Sequence, residues 1–288
     1  MLWVYLSLIA AFCVATQDTV LKKSLSHLSH YEMIGYPILY SLPFFLVTLI
    51  SVPVPPLDAT FYWSFIISIP LNALAIMLYV RAIKISPLSL TVPFLSFTSL
   101  FVVLSGWLML GEVPNLWGLG GIGLIVIGSY VLNIRPGQWS ILDPFRALSR
   151  ETGSKLMFAV AVLFSLGSVL GKVGILHSSP LFFQTALFVA LDILMIIYLL
   201  ARKKIHIPDF KKEYKIGIFV GLLFFTHIVS QGFAITLTKA AYMISIKRLS
   251  ILFSVFYGWL LLGEDNIRVR FIGASFMFAG SLLITILG

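Results

Sequence analysis

Apolar residues run along this chain in long blocks with little alternation, and each block is about as long as a bilayer is thick. A membrane-spanning helix needs about 20 mostly apolar residues. Ten stretches meet that length: 2–20, 33–52, 60–80, 88–110, 115–134, 156–176, 181–201, 215–237, 240–262 and 268–287. The polar stretches between them are short. The two longest are "RPGQWSILDPFRALSRETGSK" after the fifth block and "RKKIHIPDFKKEYK" after the seventh. Neither can house a soluble domain, so any function must be built from the helices. The opening "MLWVYLSLIAAFCVA" has no basic start and no clear cleavage site, and is expected to be a first span.

Composition sharpens the class. The chain has 288 residues, 59% hydrophobic and 11% charged. A soluble domain carries roughly 25% charged residues. The expected fold is an all-α membrane protein. A single cysteine, Cys13, excludes an intrachain disulfide and a Cys-rich metal site.

Charge then orients the spans. Sixteen of the 20 Lys and Arg residues lie in the connectors after the first, third, fifth, seventh and ninth blocks. The other connectors and the termini hold one, Lys239. The net charge of +9 is therefore a topology signal and not a sign of nucleic-acid binding. Basic connectors face the cytoplasm, which predicts both termini outside. The setting expected is a bacterial-type plasma membrane.

The chain also repeats. "LFVVLSGWLMLGE" (100–112) returns as "LFSVFYGWLLLGE" (252–264) at an offset of 152 residues. At that offset Gly121 matches Gly273, and Gly128 matches Gly280. Each half holds five spans, and an odd number inverts the second half. Ten transmembrane helices as two inverted five-helix repeats are expected: 1–136, a connecting loop at 137–154, and 155–288. Inverted repeats are a transporter architecture, because like halves can exchange conformations about a central site.

Ten spans in two halves, with "GWLMLGE" and "GWLLLGE" closing the fourth and ninth, resemble the EamA-type members of the drug/metabolite transporter superfamily. The resemblance implies a basket of helices around a cavity lined by spans 1, 3, 4, 6, 8 and 9, with spans 5 and 10 outside. It implies solutes such as amino acids, sugars, nucleotides, organic phosphates or drugs. Many relatives are expected to have cytoplasmic termini, opposite to the charge pattern here.

The strongest candidate site is "MISIKRLSILF" (243–253). Lys247 lies about 10 Å into the ninth span at 1.5 Å per residue. An intramembrane cation costs on the order of 2.5–3.5 kcal/mol at the helix centre. Snorkelling to the interface, pairing with an acid, or binding an anionic solute would each relieve that cost. Lys247, Ser250, Ser254 and Gly258 share one helical stripe, with Arg248 about 100° away. The matching first-half segment, "PFLS" (93–96), is uncharged. Adjacent Lys and Arg in the ninth span also resemble the plastid phosphate translocators of the same superfamily, where the pair is associated with substrate phosphate.

Other polar residues interrupt the blocks. Asp18 and Asp192 are candidate counter-ions or proton-coupling groups. Alternatively Asp18 balances Lys22, and Asp192 makes a buried interhelical hydrogen bond. "THIVSQ" puts His227, Ser230 and Gln231 on one wet face. Gln17, Asn72, Tyr79 and Gln184 either line the cavity or bond between helices. Lys172 is expected to snorkel. Pro70 and Pro93 are expected kinks, and Glu112 and Glu264 structural helix ends.

The substrate-binding set is therefore Lys247, Arg248, Ser250, Ser254, His227, Gln231, Asn72 and Gln17. No catalytic set, metal-ligand spacing or cofactor motif is present, so an enzyme is not expected. The expected function is a secondary transporter of a small, anionic organic solute working by alternating access. The alternatives are export of amino acids or of hydrophobic or amphipathic compounds, or a non-transporting membrane scaffold. Lipid and the solute are the expected partners. Monomer and homodimer both stay open.

Overall fold

The computed structural model describes residues 1–86, 88–132, 151–206, 210–262 and 267–288, without the side chains of 88–93, 255, 258–259, 261–262 and 267–271. The described residues form helices and connectors only. These are α1 (Leu2–Leu25), α2 (His30–Ser51), α3 (Ala59–Ile85), α4 (Leu88–Leu110), α5 (Leu116–Leu132), α6 (Thr152–Leu176), α7 (Pro180–Ala201), α8 (Tyr214–Thr236), α9 (Ala240–Lys247), α10 (Ser250–Leu262) and α11 (Ile267–Leu287). Six of them (α1, α2, α3, α6, α7 and α8) are long and apolar enough to cross a membrane. Shorter apolar runs cover Phe94–Leu110, Leu116–Leu132 and Ile272–Leu287.

Local chemistry explains where helices begin and end. Ser29 and Glu32 form a reciprocal capping box at the start of α2 (Glu32 N–H to Ser29 Oγ 3.2 Å, Ser29 N–H to Glu32 Oε2 2.8 Å). The Asp58 carboxylate caps α3 by accepting the Phe61 N–H at 2.9 Å. That bond, with His177 adding to it, holds the carboxyl below its usual range. Ser179 caps α7, whose first residue is Pro180. The first GWLxLGE copy is a helix stop. Gly111 has φ +65°, and the Glu112 N–H reaches back to the Gly106 carbonyl at 3.1 Å, closing α4 with a left-handed cap. Pro37 and Pro43 lie inside α2, and Pro70 inside α3; both helices run on past them.

The repeated glycines meet each other. A Cβ on Gly121 would lie 2.6 Å from the Gly280 carbonyl, and one on Gly280 would lie 2.5 Å from the Gly121 carbonyl. Gly128 and Gly273 exchange the same contact at 2.6 and 2.7 Å. The numbering runs in opposite directions, so α5 and α11 pack antiparallel. Positions related by the 152-residue offset exchange partners across the crossing, as a twofold axis requires. Elsewhere α3 packs along α6 while α8 packs along α1, the equivalent pairing.

The two ends of the bundle are sewn differently. At one end His177 Nδ1 meets Asp58 Oδ2 at 2.7 Å, and the Asn115 side-chain amide donates to the Leu287 carbonyl at 2.7 Å. These bonds gather the connectors after α3's predecessor, α4 and α6 beside the C-terminus. At the other end the Lys84 ammonium donates to the Leu28 carbonyl at 2.9 Å, and Lys204 sits 5.0 Å over the Tyr31 ring. Tyr40 O–H reaches the Phe210 carbonyl there at 2.8 Å. The basic connectors therefore share an end where they fall within the described residues.

Candidate functional site

A cavity of about 180 Å³ lies inside the bundle. At roughly 30 Å³ per liquid water it suits a small solute. Its walls come from α1, α2, α3, α4, α6, α7, α8 and α9. The resemblance implied six of the spans, and α2 and α7 join them through Ile34, Ile38, Gln184 and Phe188. Among the described residues neither α5 nor α11 contributes to the lining. They are occupied with each other through the glycine crossing.

The ninth expected span is not one helix. α9 ends at Lys247 and α10 begins at Ser250. Through the join the backbone tightens to i→i+3 bonds: Leu249 N–H to the Ile246 carbonyl at 3.0 Å, and Ile251 N–H to the Arg248 carbonyl at 3.0 Å. The break falls on the cation pair. α9's negative C-terminal dipole end therefore sits against Lys247 and Arg248, which lowers the cost of placing charge there. Both cations line the cavity. Arg248 is 6% exposed, and its Nε has no hydrogen-bond partner. Lys247 Nζ donates to Gln231 Oε1 from α8.

Further polar atoms converge on the same space. Tyr79 O–H donates to Asp18 Oδ2 at 2.9 Å, joining α3 to α1 within the cavity wall. Asp18 is thus bound to Tyr79 and set in the field of Lys247, in place of the expected balance with Lys22. Gln17 Oε1 is buried without a partner. His227 is 8% exposed beside Gln231, and neither of its ring nitrogens makes a hydrogen bond of good geometry. Asn72 lines the cavity while its amide donates to the Ser68 carbonyl at 2.8 Å. A buried polar atom left unpaired costs about 1–3 kcal/mol. Here three such side chains, Gln17, His227 and Arg248, border one cavity. The rest of the wall is apolar, with Phe164, Phe188, Phe224 and Ile228 prominent.

The model of the EamA-like transporter family matches residues 1–134 and 151–286. The chain belongs to the EamA-like transporter family. Among solved structures, one titled "Crystal structure of protein" superposes with a TM-score of 0.73 at 14% identity, covering 99% of each chain. At that identity the likeness concerns the fold. No curated protein matches.

Several residues of this EamA-like chain lie elsewhere than the sequence suggested. Ser250 and Ser254 do not border the cavity. Their expected stripe with Lys247 presumed one continuous α-helix, and the helix is interrupted at 248–249. Asp192 is fully buried away from the cavity, accepting Ser41 Oγ at 3.0 Å between α7 and α2. This is the interhelical bond that was its alternative. Lys172 does not snorkel. It is 5% exposed, and its ammonium binds Glu112 Oε1 and, at 2.6 Å, the Thr238 carbonyl. Glu112 Oε2 accepts the Ala240 N–H at 2.8 Å, at the start of α9. The motif's glutamate thus ties α4, α6 and α9 together beside the cavity. Glu264 and the side chain of Pro93 lie outside the described residues, as does the connecting loop over 137–150.

Proposed function

We propose that this multi-pass membrane protein is a secondary transporter for a small organic anion with an apolar body. The observation that carries the reading is the pair of half-buried Lys247 and buried Arg248 at a break in a helix, facing a cavity that Gln17 Oε1 and the His227 ring nitrogens also border without hydrogen-bond partners. A broken helix beside a central site is how transporters expose backbone and charge at membrane depth. Lysine supplies a mobile point charge and arginine a planar fork for carboxylate or phosphate. The mainly apolar wall favours a carboxylate with a hydrophobic portion over a sugar phosphate. The bundle comprises ten spans in two inverted five-helix halves, with α9 and α10 together forming the ninth. Rocking of those halves would provide alternating access. Among the described residues no group of three or more His, Cys, Asp or Glu side chains is placed to hold a metal ion.

Counterflow uptake in proteoliposomes tests the reading. A panel of aromatic and aliphatic carboxylates, phosphorylated sugars, amino acids and neutral amphipaths is expected to show saturable exchange for carboxylates. Equal competition by neutral amphipaths would favour an exporter of hydrophobic compounds, and zero flux across the panel a scaffold. Selective amino-acid exchange would move the assignment to amino-acid export, for which Asp18 is placed to meet an ammonium.

The membrane is taken as a bacterial-type plasma membrane with both termini outside, supported by the basic connectors. A periplasm-active reporter fused after Gly288 is expected to be active. Activity only from a cytoplasm-dependent reporter would reverse the orientation.

A further inference from the structure

The cavity holds both signs of charge. Lys247 and Arg248 approach from α9, and Asp18 approaches from α1. The other described titratable groups on this cavity are Tyr79 from α3, Lys172 from α6 and His227 from α8, and of these Tyr79 bonds Asp18 directly. Lys247 is close enough to Asp18 to interact with it electrostatically. With the cavity empty of solute, an ionised Asp18 offsets one of the two cations. A solute anion entering this space must share those cations with a second negative charge. Two like charges held together in a partly desolvated space repel each other. Protonating Asp18 removes that repulsion. The Tyr79 bond survives protonation, because Tyr79 is the donor and the acid keeps an accepting oxygen.

We propose, resting on the anion-transport reading, that Asp18 carries the coupling proton. It balances the cation pair when the cavity is empty and takes up one proton from water when a solute anion replaces it there. One anion and one proton then cross together, and the net charge of the site is unchanged by the load. Asp192, the other acid within the membrane, is excluded from this role by position. It faces Ser41 between α2 and α7 and borders no part of the cavity.

Infrared difference spectroscopy on the purified, lipid-reconstituted protein tests this, with phenylpyruvate and inorganic phosphate as probes. Addition of a bound anion at fixed pH is expected to raise a protonated-carboxyl band. That band should vanish in Asp18→Asn, shift in Asp18→Glu, and persist in Asp192→Asn. Mutual exclusion between anion and ionised Asp18 also requires anion affinity to fall by up to tenfold per pH unit over the range where Asp18 ionises. This slope should flatten in Asp18→Asn. Should Asp18→Asn misfold, the band shift in Asp18→Glu assigns the group by itself. Anion binding with no carboxyl change overturns the coupling and leaves the anion site standing. A carboxyl change that survives in Asp18→Asn also overturns it. Absence of binding by both probes in folded protein overturns the anion site and the coupling with it.

Discussion

Lys247→Gln and Arg248→Gln are each expected to weaken anion exchange by about 10- to 150-fold. A hydrogen bond to a charged group is worth about 1.5–3 kcal/mol, and every 1.4 kcal/mol is a factor of ten. Glutamine keeps a polar end that can still meet Gln231, so the change removes charge more than packing. It also removes a cation that the bilayer interior disfavours, so the fold is expected to hold while exchange is lost. The measurement is the concentration dependence of counterflow, with the size-exclusion profile as the folding control. Ser254→Ala serves as the comparison, since Ser254 borders no part of the cavity. Unchanged half-saturation in folded Lys247→Gln would detach the pair from the solute.

The second large effect is expected at the bond between Lys172 and Glu112. Lys172 is nearly inaccessible and has the carboxylate and one carbonyl to hold its charge. Removing one member of a buried pair typically costs 3–5 kcal/mol, because the other charge stays behind. Glu112→Gln should therefore lower thermal stability sharply, and also weaken the tie to the Ala240 N–H. Lys172→Met should cost less, because Glu112 is more exposed and keeps that N–H. The double variant Lys172→Met/Glu112→Gln is expected to recover much of the loss, since no stranded charge is left. A double-mutant cycle on thermal stability in detergent measures the coupling. Strictly additive losses would show that the two side chains do not depend on one another.

The Lys172–Glu112 bond joins residues far apart in sequence, as does the Tyr79–Asp18 bond. Lys172 and Glu112 are separated by 60 positions, and Tyr79 and Asp18 by 61. Sequence spacing carries information about neighbours on one helix, so Lys172 could only be judged by its distance from the span's end. On that basis snorkelling was the natural expectation. The same limit misplaced Ser250 and Ser254. Helical periodicity put them under Lys247, but the helix is interrupted at 248–249 and neither serine reaches the cavity. A signal for that break was present in "IKRLS": two adjacent cations and a serine inside an apolar run are poor material for a lipid-exposed helix. Asp18 and Asp192 could not be ranked from sequence, since each is one acid in an apolar block. Only the packing of α1 and α7 puts one beside the cavity and the other between helices.

By itself the sequence determined the solvent, the class and the family. Long apolar blocks and a low charge fraction leave lipid as the only medium, and the duplicated GWLxLGE with its matched glycines marks an internal repeat. These signals are local or periodic, and so survive without coordinates. Tertiary structure decided which glycines meet which, where the ninth span breaks, and which polar atoms remain unpaired around the cavity. Those outcomes depend on contacts between helices, whose geometry arises from shape and close packing across the whole bundle.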